Sequence, residues 1–256
     1  MTYLRALVLV LAMLLGSCRW EERLIFYPTR ALLRTPQSVG LAFEDTNFST
    51  SDGVRLHGWF ISHAESPLVW VWFHGNAGNI SHRVENIKLL HELVKIRIFI
   101  FDYRGYGASE GSPSEKGTYL DGEAAVRCVI ERYGVQVQQM VFFGRSLGAA
   151  IAAEMATRWR PLALILESPF VSIPEMAKTI FPYLPLRPVL RTRYDLSDKI
   201  GKVTSPVLVL HGVRDEIVPF EQGRKVFDQA PGPKRFYAID GAGHNDTYLV
   251  GGTAYF

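Results

Sequence analysis

The chain has 256 residues, 48% hydrophobic and 21% charged, with a formal net charge of +3. It is long enough to bury a large core without staples and too apolar for a disordered chain. Two cysteines, Cys18 and Cys128, exclude a disulfide scaffold and a cysteine zinc site, and the small net charge gives no argument for nucleic acid.

Residues 6–16 read ALVLVLAMLLG, an uncharged run preceded by Arg5. A membrane-spanning helix needs about 20 apolar residues, so this run fits the hydrophobic stretch of an export signal instead. The sequence Leu15-Gly16-Ser17-Cys18 resembles a bacterial lipobox, which makes Cys18 a lipidation candidate. A plain signal, or an uncleaved anchor with an incidental cysteine, stays open beside it. Residues 1–17 are therefore read as a signal-like segment and 18–256 as one domain. That predicts an exported or membrane-associated protein that meets the membrane surface through its N-terminus.

Residues 43–50 and 54–62 alternate well enough for an antiparallel strand pair joined at Ser51-Asp52-Gly53. Short apolar runs follow at 68–73, 96–101, 140–143, 162–166 and 207–210, and a further strand is predicted over 234–239. Most of these runs do not alternate, as expected for strands buried on both faces. Between them, residues 81–95 carry Val84, Ile87, Leu90, Leu93 and Val94 at helical steps. Residues 115–133 show a similar stripe, and 147–159 are rich in alanine, which suits a helix packed closely on a sheet. This alternation predicts a mostly parallel central sheet with helices on both faces. Residues 168–205 break the rhythm with Pro169, Pro174, Pro182, Pro185 and Pro188 and are read as a short lid-like insertion.

Gly144-Arg145-Ser146-Leu147-Gly148 matches G-x-S-x-G, directly after one predicted strand and directly before the alanine-rich helix. In that setting a serine is held on a sharp turn with its Oγ exposed, and glycines are needed because helix and strand crowd together. The helix N-terminus also offers the amide of Leu147 to an oxyanion. Ser146 needs a base, and the base needs an orienting acid. With this motif the two follow in the order acid, then histidine, at later strand ends. Asp215 lies in the loop after residues 207–210, with Glu216 as its neighbour, and His244 lies in the loop after 234–239. All three fall at strand carboxyl ends, where open parallel sheets bind ligands. The second oxyanion donor is expected from the loop His74-Gly75-Asn76-Ala77-Gly78-Asn79, at the amide of Asn76 with Ala77 as the alternative.

Other polar residues take plainer readings. His74 and His211 each precede a glycine at a strand end and are read as structural hydrogen-bonders. Asp102 precedes the nucleophile in sequence and is read with Arg104 as part of a turn. Cys128 sits in a helical stripe and is read as core. His91-Glu92 begins a zinc motif that fails at Lys95, and Gly105-Tyr106-Gly107 begins a dinucleotide motif that fails at Glu110. Residues 19–34 set four arginines against Glu21 and Glu22, and 182–205 set five cations against Asp195 and Asp198. Either basic segment can face anionic lipid or be ordinary solvated charge.

HGNAGN, DYRGYG, GRSLG, HGVRDEIVP and GAGHND together resemble the α/β-hydrolase superfamily, in order and spacing, from about Arg23 onward. Within it the chain is similar to the small membrane-associated serine hydrolases related to protein depalmitoylases. The resemblance implies the α/β-hydrolase fold and does not fix the substrate; the chain is read as a hydrolase of carboxylic esters or thioesters acting on a small-molecule or lipid-like acyl substrate. The resemblance also implies Ser146 as nucleophile, Asp215 as acid, His244 as base, and no cofactor or metal. A peptidase or amidase on the same triad, or a membrane-tethered binding protein, stays open. Relatives usually continue with a helix behind the catalytic histidine. Residues 248–256, with Gly251-Gly252, have room for a turn or two, so either the chain is truncated or the histidine loop is less buttressed than usual.

Overall fold

A computed structural model of the protein describes residues 19–256; the signal-like segment and Cys18 lie outside the described residues. Eight strands form one sheet: β1 (Glu44–Ser49), β2 (Arg55–Ile61), β3 (Val69–Phe73), β4 (Arg97–Asp102), β5 (Met140–Arg145), β6 (Ala163–Glu167), β7 (Val207–Gly212) and β8 (Lys234–Ile239). Their order is β1-β2-β4-β3-β5-β6-β7-β8. β2 pairs antiparallel with both β1 and β4, and every other pairing is parallel. Each strand predicted from the sequence occurs.

Side chains alternate across a strand, so β3 sends Val71 and Phe73 into one core and Trp70 and Trp72 into the other. The first core also takes Phe99, Phe101 and Phe142, together with Ala149, Ala150 and Ala153 of the helix Leu147–Trp159. The second takes Ile98, Ile100 and Phe143 with Val84 and Ile87. Both faces are therefore covered, as a parallel sheet requires.

The long helices Glu115–Tyr133 and Leu147–Trp159 fall where the stripes predict. The helix expected over 81–95 does not run through. It is a 3₁₀ turn (Ile80–Arg83), an α-helix (Val84–Leu89) and a π turn (Leu90–Val94). Asn79 caps the tight first turn by accepting from the Ser81 amide. The wider π turn then shifts the register, so Leu93, expected in the stripe, is exposed.

Two helices appear that the sequence reading passed over, Arg19–Ile25 and Phe220–Gln229. Residues 168–205 form the excursion expected between β6 and β7, with short helices Ile173–Ile180 and Leu196–Ile200. Its far end carries Ile180, Phe181, Tyr183 and Leu184 in solvent. Its return is tied down by two glutamates: Glu21 accepts from the amides of Arg191 and Thr192, and Glu115 from those of Arg193 and Tyr194. Among the described residues no helix is long and apolar enough to cross a membrane.

Candidate active site

Ser146 sits between β5 and the helix Leu147–Trp159 at φ 52°, ψ −117°. A positive φ at a non-glycine residue costs about 1–3 kcal/mol and persists only where its surroundings impose it. Here they do. The Ser146 amide donates to the carbonyl of Glu167 at the end of β6, 2.9 Å away. The motif glycines let the helix close on the sheet: a Cβ on Gly148 would lie 2.0 Å from the Phe73 carbonyl oxygen, and one on Gly144 2.4 Å from that of Gly148. Ser146 itself remains half-exposed.

Asp215 and His244 come together across the loops after β7 and β8. His244 Nδ1 lies 2.8 Å from Asp215 Oδ2 and 3.0 Å from Oδ1, and both side chains are buried. Asp215 Oδ1 also accepts from the amides of Ile217 and Val218, at 3.0 and 2.8 Å. Burial by itself would raise this carboxyl. Hydrogen bonds from His211, His244 and the Val218 amide outweigh burial and hold it well below the usual carboxylate range. It is an anion aimed at an imidazole. Glu216 reaches a different atom, accepting from the His244 backbone amide at 3.1 Å. The two neighbouring carboxylates thus divide ring and backbone between them.

The loop after β3 runs beside the serine. A Cβ on Gly75 would lie 3.5 Å from Ser146 Cβ. Among the described residues neither the Asn76 amide nor the Leu147 amide has a hydrogen-bond partner. The Asn76 side chain is fully engaged elsewhere. Its Oδ1 accepts from Tyr106 Oη at 2.7 Å and from the Tyr27 and Ala77 amides, while its Nδ2 donates to the Ile25 carbonyl. Residues 25–33 form a strap along this loop, also held by Asn79 and Ser81.

The remaining polar residues behave as the sequence reading expects. His74 is fully buried, donates from Nδ1 to the Gly75 carbonyl oxygen, and burial lowers its pKa to about 3. His211 Nε2 lies 3.0 Å from the Val218 carbonyl oxygen and 3.4 Å from Asp215, so it shores up the acid. Asp102 accepts from the Ile80 amide and orders the turn. Arg104 lies between Asp52 and Asp121. Cys128 is buried, and burial pushes its thiol up to about 11. Two surface clefts of about 240 and 380 Å³ flank the first described helix, and neither is lined by Ser146. The site is thus defined by the convergence of loops, not by cleft size.

The sequence reading missed four residues behind the histidine loop. Arg145, Glu167, Thr247 and Tyr255 form a largely buried polar cluster that touches the loops of both Ser146 and His244. It also supplies the support that residues 248–256 seemed too short to give. A four-residue helix, Thr247–Val250, is followed by Tyr255 bonded to Glu167 and Phe256 packed on the second core.

Residues 68–192 match the family described as Serine aminopeptidase, S33. A Mycobacterium tuberculosis protein described as uncharacterized is 39% identical, over 91% of this chain and 83% of its own. The Alpha/beta hydrolase domain-containing protein WAV2 of Arabidopsis thaliana is 35% identical, over 93% of this chain and 85% of its own. Among solved structures, the Pyrococcus furiosus esterase Pf2001 superposes with a TM-score of 0.73 at 20% identity, covering 88% of this chain and 91% of that one.

Proposed function

The chain belongs to the α/β-hydrolase family, and from that premise we propose that it is a serine hydrolase of carboxylic esters or thioesters, with Ser146, His244 and Asp215 as its triad. The observation that carries the proposal is the buried Asp215–His244 hydrogen bond at the sheet edge that also holds Ser146 on its strained turn. His244 takes the Ser146 proton as Oγ attacks the acyl carbonyl. The amides of Leu147 and Asn76 stabilise the oxyanion. The protonated imidazole, held by Asp215, returns its proton to the leaving alcohol or thiol. Water, activated by the same base, then cleaves the acyl-enzyme and frees Ser146. This sequence needs no cofactor.

A serine-directed fluorophosphonate is expected to label the wild type and not Ser146→Ala. Equal labelling of both would refute the assignment. A panel of p-nitrophenyl esters of rising chain length then reads pocket depth through kcat/KM. The amidase reading keeps a place because the matched family is described as a serine aminopeptidase; anilide turnover equal to ester turnover would favour it.

We further propose that the enzyme works at a membrane surface and takes a lipid-like acyl substrate there. The uncharged run at 6–16 precedes the first described helix, and Cys18 is the lipidation candidate between them. Leu24 on the first described helix, Tyr27 and Leu33 on the strap, and Phe181, Tyr183 and Leu184 on the insertion are exposed. Glu21 ties the helix ahead of the strap to the return of the insertion, which supports one apolar side shared by the two segments.

A further inference from the structure

We infer that Glu167 is the positioning residue that registers the base to the nucleophile, acting through a polar hub with Arg145, Thr247 and Tyr255. The inference rests on the triad reading above. Glu167 stands at the end of β6, beside β5 and fully buried. Its backbone carbonyl accepts from the Ser146 amide, 2.9 Å away. Its carboxylate faces the other way along the function. Oε1 accepts from Thr247 Oγ1 and lies 3.2 Å from Arg145 Nε, while Oε2 accepts from Tyr255 Oη at 2.8 Å. One residue thus holds the serine with its main chain and the segment after the histidine with its side chain.

Arg145 closes the circuit. It is the second residue of the G-x-S-x-G motif, so its backbone is part of the nucleophile turn. Its Nη2 donates to the His244 carbonyl oxygen and to Asn245 Oδ1, the latter at 3.0 Å. The guanidinium is nearly buried. A buried arginine and a buried carboxylate are costly to desolvate and repay that cost only when their remaining hydrogen-bonding positions are filled. Here the Glu167 oxygens are filled by the Thr247 and Tyr255 hydroxyls and Arg145 Nη2 by the histidine loop, while Nε meets Glu167 only as an ion pair. Burial and the Glu167 charge push the Tyr255 phenol well above its usual range, so it stays a hydroxyl donor. Glu216 fixes the His244 amide from the opposite side. The His244 backbone is therefore held at both its N–H and its C=O, and the hub refers that position directly to the Ser146 turn.

The geometry gives a result that fold support alone would not. A structural role lowers the number of competent enzyme molecules; a positioning role lowers the rate of each one. The full chain is assayed on a short soluble p-nitrophenyl ester, with active serines counted by fluorophosphonate titration. Tyr255→Phe, which removes one hydroxyl, is expected to lower kcat per titrated serine three- to tenfold with KM within about twofold. Glu167→Gln is expected to lower it about 100-fold, the scale of a misplacement near 1 Å. In a His244→Ala background, Glu167→Gln should add almost nothing, because its effect passes through the histidine.

Unchanged kcat per titrated serine in both variants overturns the inference, as does a full additional loss in the His244→Ala background. Wild-type turnover by Ser146→Ala would instead fell the triad. In that event the low-field NMR resonance of the His244–Asp215 proton still decides the hub: it must shift or broaden in Glu167→Gln, and an unmoved resonance overturns it.

Discussion

Asp215→Asn tests the triad at its most constrained member. The carboxylate receives the His244 ring, the His211 ring and two backbone amides. An asparagine keeps the shape but replaces one acceptor oxygen with an NH₂ group. The Ile217 and Val218 amides, 3.0 and 2.8 Å from Oδ1, need that oxygen to remain an acceptor. The NH₂ must therefore take the Oδ2 position and face His244 Nδ1. There it donates, forcing the ring into the tautomer with its proton on Nε2, which cannot accept the Ser146 proton. A tautomer error of this kind costs about 10⁴-fold in kcat, roughly 5.5 kcal/mol of transition-state stabilisation. KM should change little. The assay is p-nitrophenyl ester hydrolysis, with Glu216→Gln alongside: an amide oxygen there still accepts from the His244 N–H, so the loss should stay below about tenfold. Asp215→Asn retaining a tenth of wild-type kcat while Glu216→Gln loses 10³-fold would move the acid role to Glu216. The same variant has a stability signature. The folded-state pKa of Asp215 lies below its ordinary value of 3.8. Its stabilisation is thus full above that value and is lost as pH falls through the folded pKa. Between pH 5 and 2 the wild type should lose more Tm than Asp215→Asn.

Three further outcomes follow from particular contacts. Gly148→Ala would push a methyl group to 2.0 Å from the Phe73 carbonyl oxygen and 2.6 Å from that of His74, both backbone atoms that cannot turn aside; it should cost about 3 kcal/mol or more by thermal unfolding. Burial raises the Asp102 carboxyl to about 7. The folded state therefore binds a proton that the unfolded chain has released, and stability is lost as pH rises through that window. Asp102→Asn, which keeps the acceptor for the Ile80 amide, should flatten the wild-type loss of stability between pH 5 and 8 in denaturant titrations. Replacing Phe181, Tyr183 and Leu184 together by serine should lower kcat/KM about tenfold or more on a long-chain ester embedded in anionic vesicles, and leave a short soluble ester within twofold. Equal rates on both substrates would sink the membrane-facing assignment of the insertion.

The candidate triad positions stand out in the sequence because they coincide with punctuation. Ser146, Asp215 and His244 each follow an apolar run and sit among glycines, so hydrophobic pattern and motif agree on strand ends. The eight strands were legible for the same reason. The helix Phe220–Gln229 was not, because it is short and mostly polar and Gly223 interrupts it. That glycine is required by a distant group: a Cβ would lie 2.1 Å from His211 Nδ1. The break in residues 81–95 was hidden too, since a π turn changes register without changing composition. Glu167, Thr247 and Tyr255 were invisible for a deeper reason. Glu167 is 80 residues from Thr247 and 88 from Tyr255 in sequence, and no local pattern marks residues that meet only through the sheet.

The distribution of backbone strain points to the same edge of the sheet. Among the described residues six non-glycine residues have positive φ: Ala77, Lys95, Ser146, Arg160, Ser168 and Tyr194. Lys95 and Arg160 are left-handed caps at helix ends, an ordinary place for such geometry. Ala77, Ser146 and Ser168 follow the carboxyl ends of β3, β5 and β6, while in the turns that lead into these strands only the helix cap Arg160, ahead of β6, is a non-glycine residue with positive φ. Each such residue costs about 1–3 kcal/mol, so three in one place must be imposed by their surroundings. The surroundings are the Ser146–Glu167 and Ser168–Leu210 main-chain bonds and the strap held by Asn76 and Asn79. The two aromatic cores carry the fold. The strain gathers at the edge that carries the proposed triad, and it does so independently of any motif.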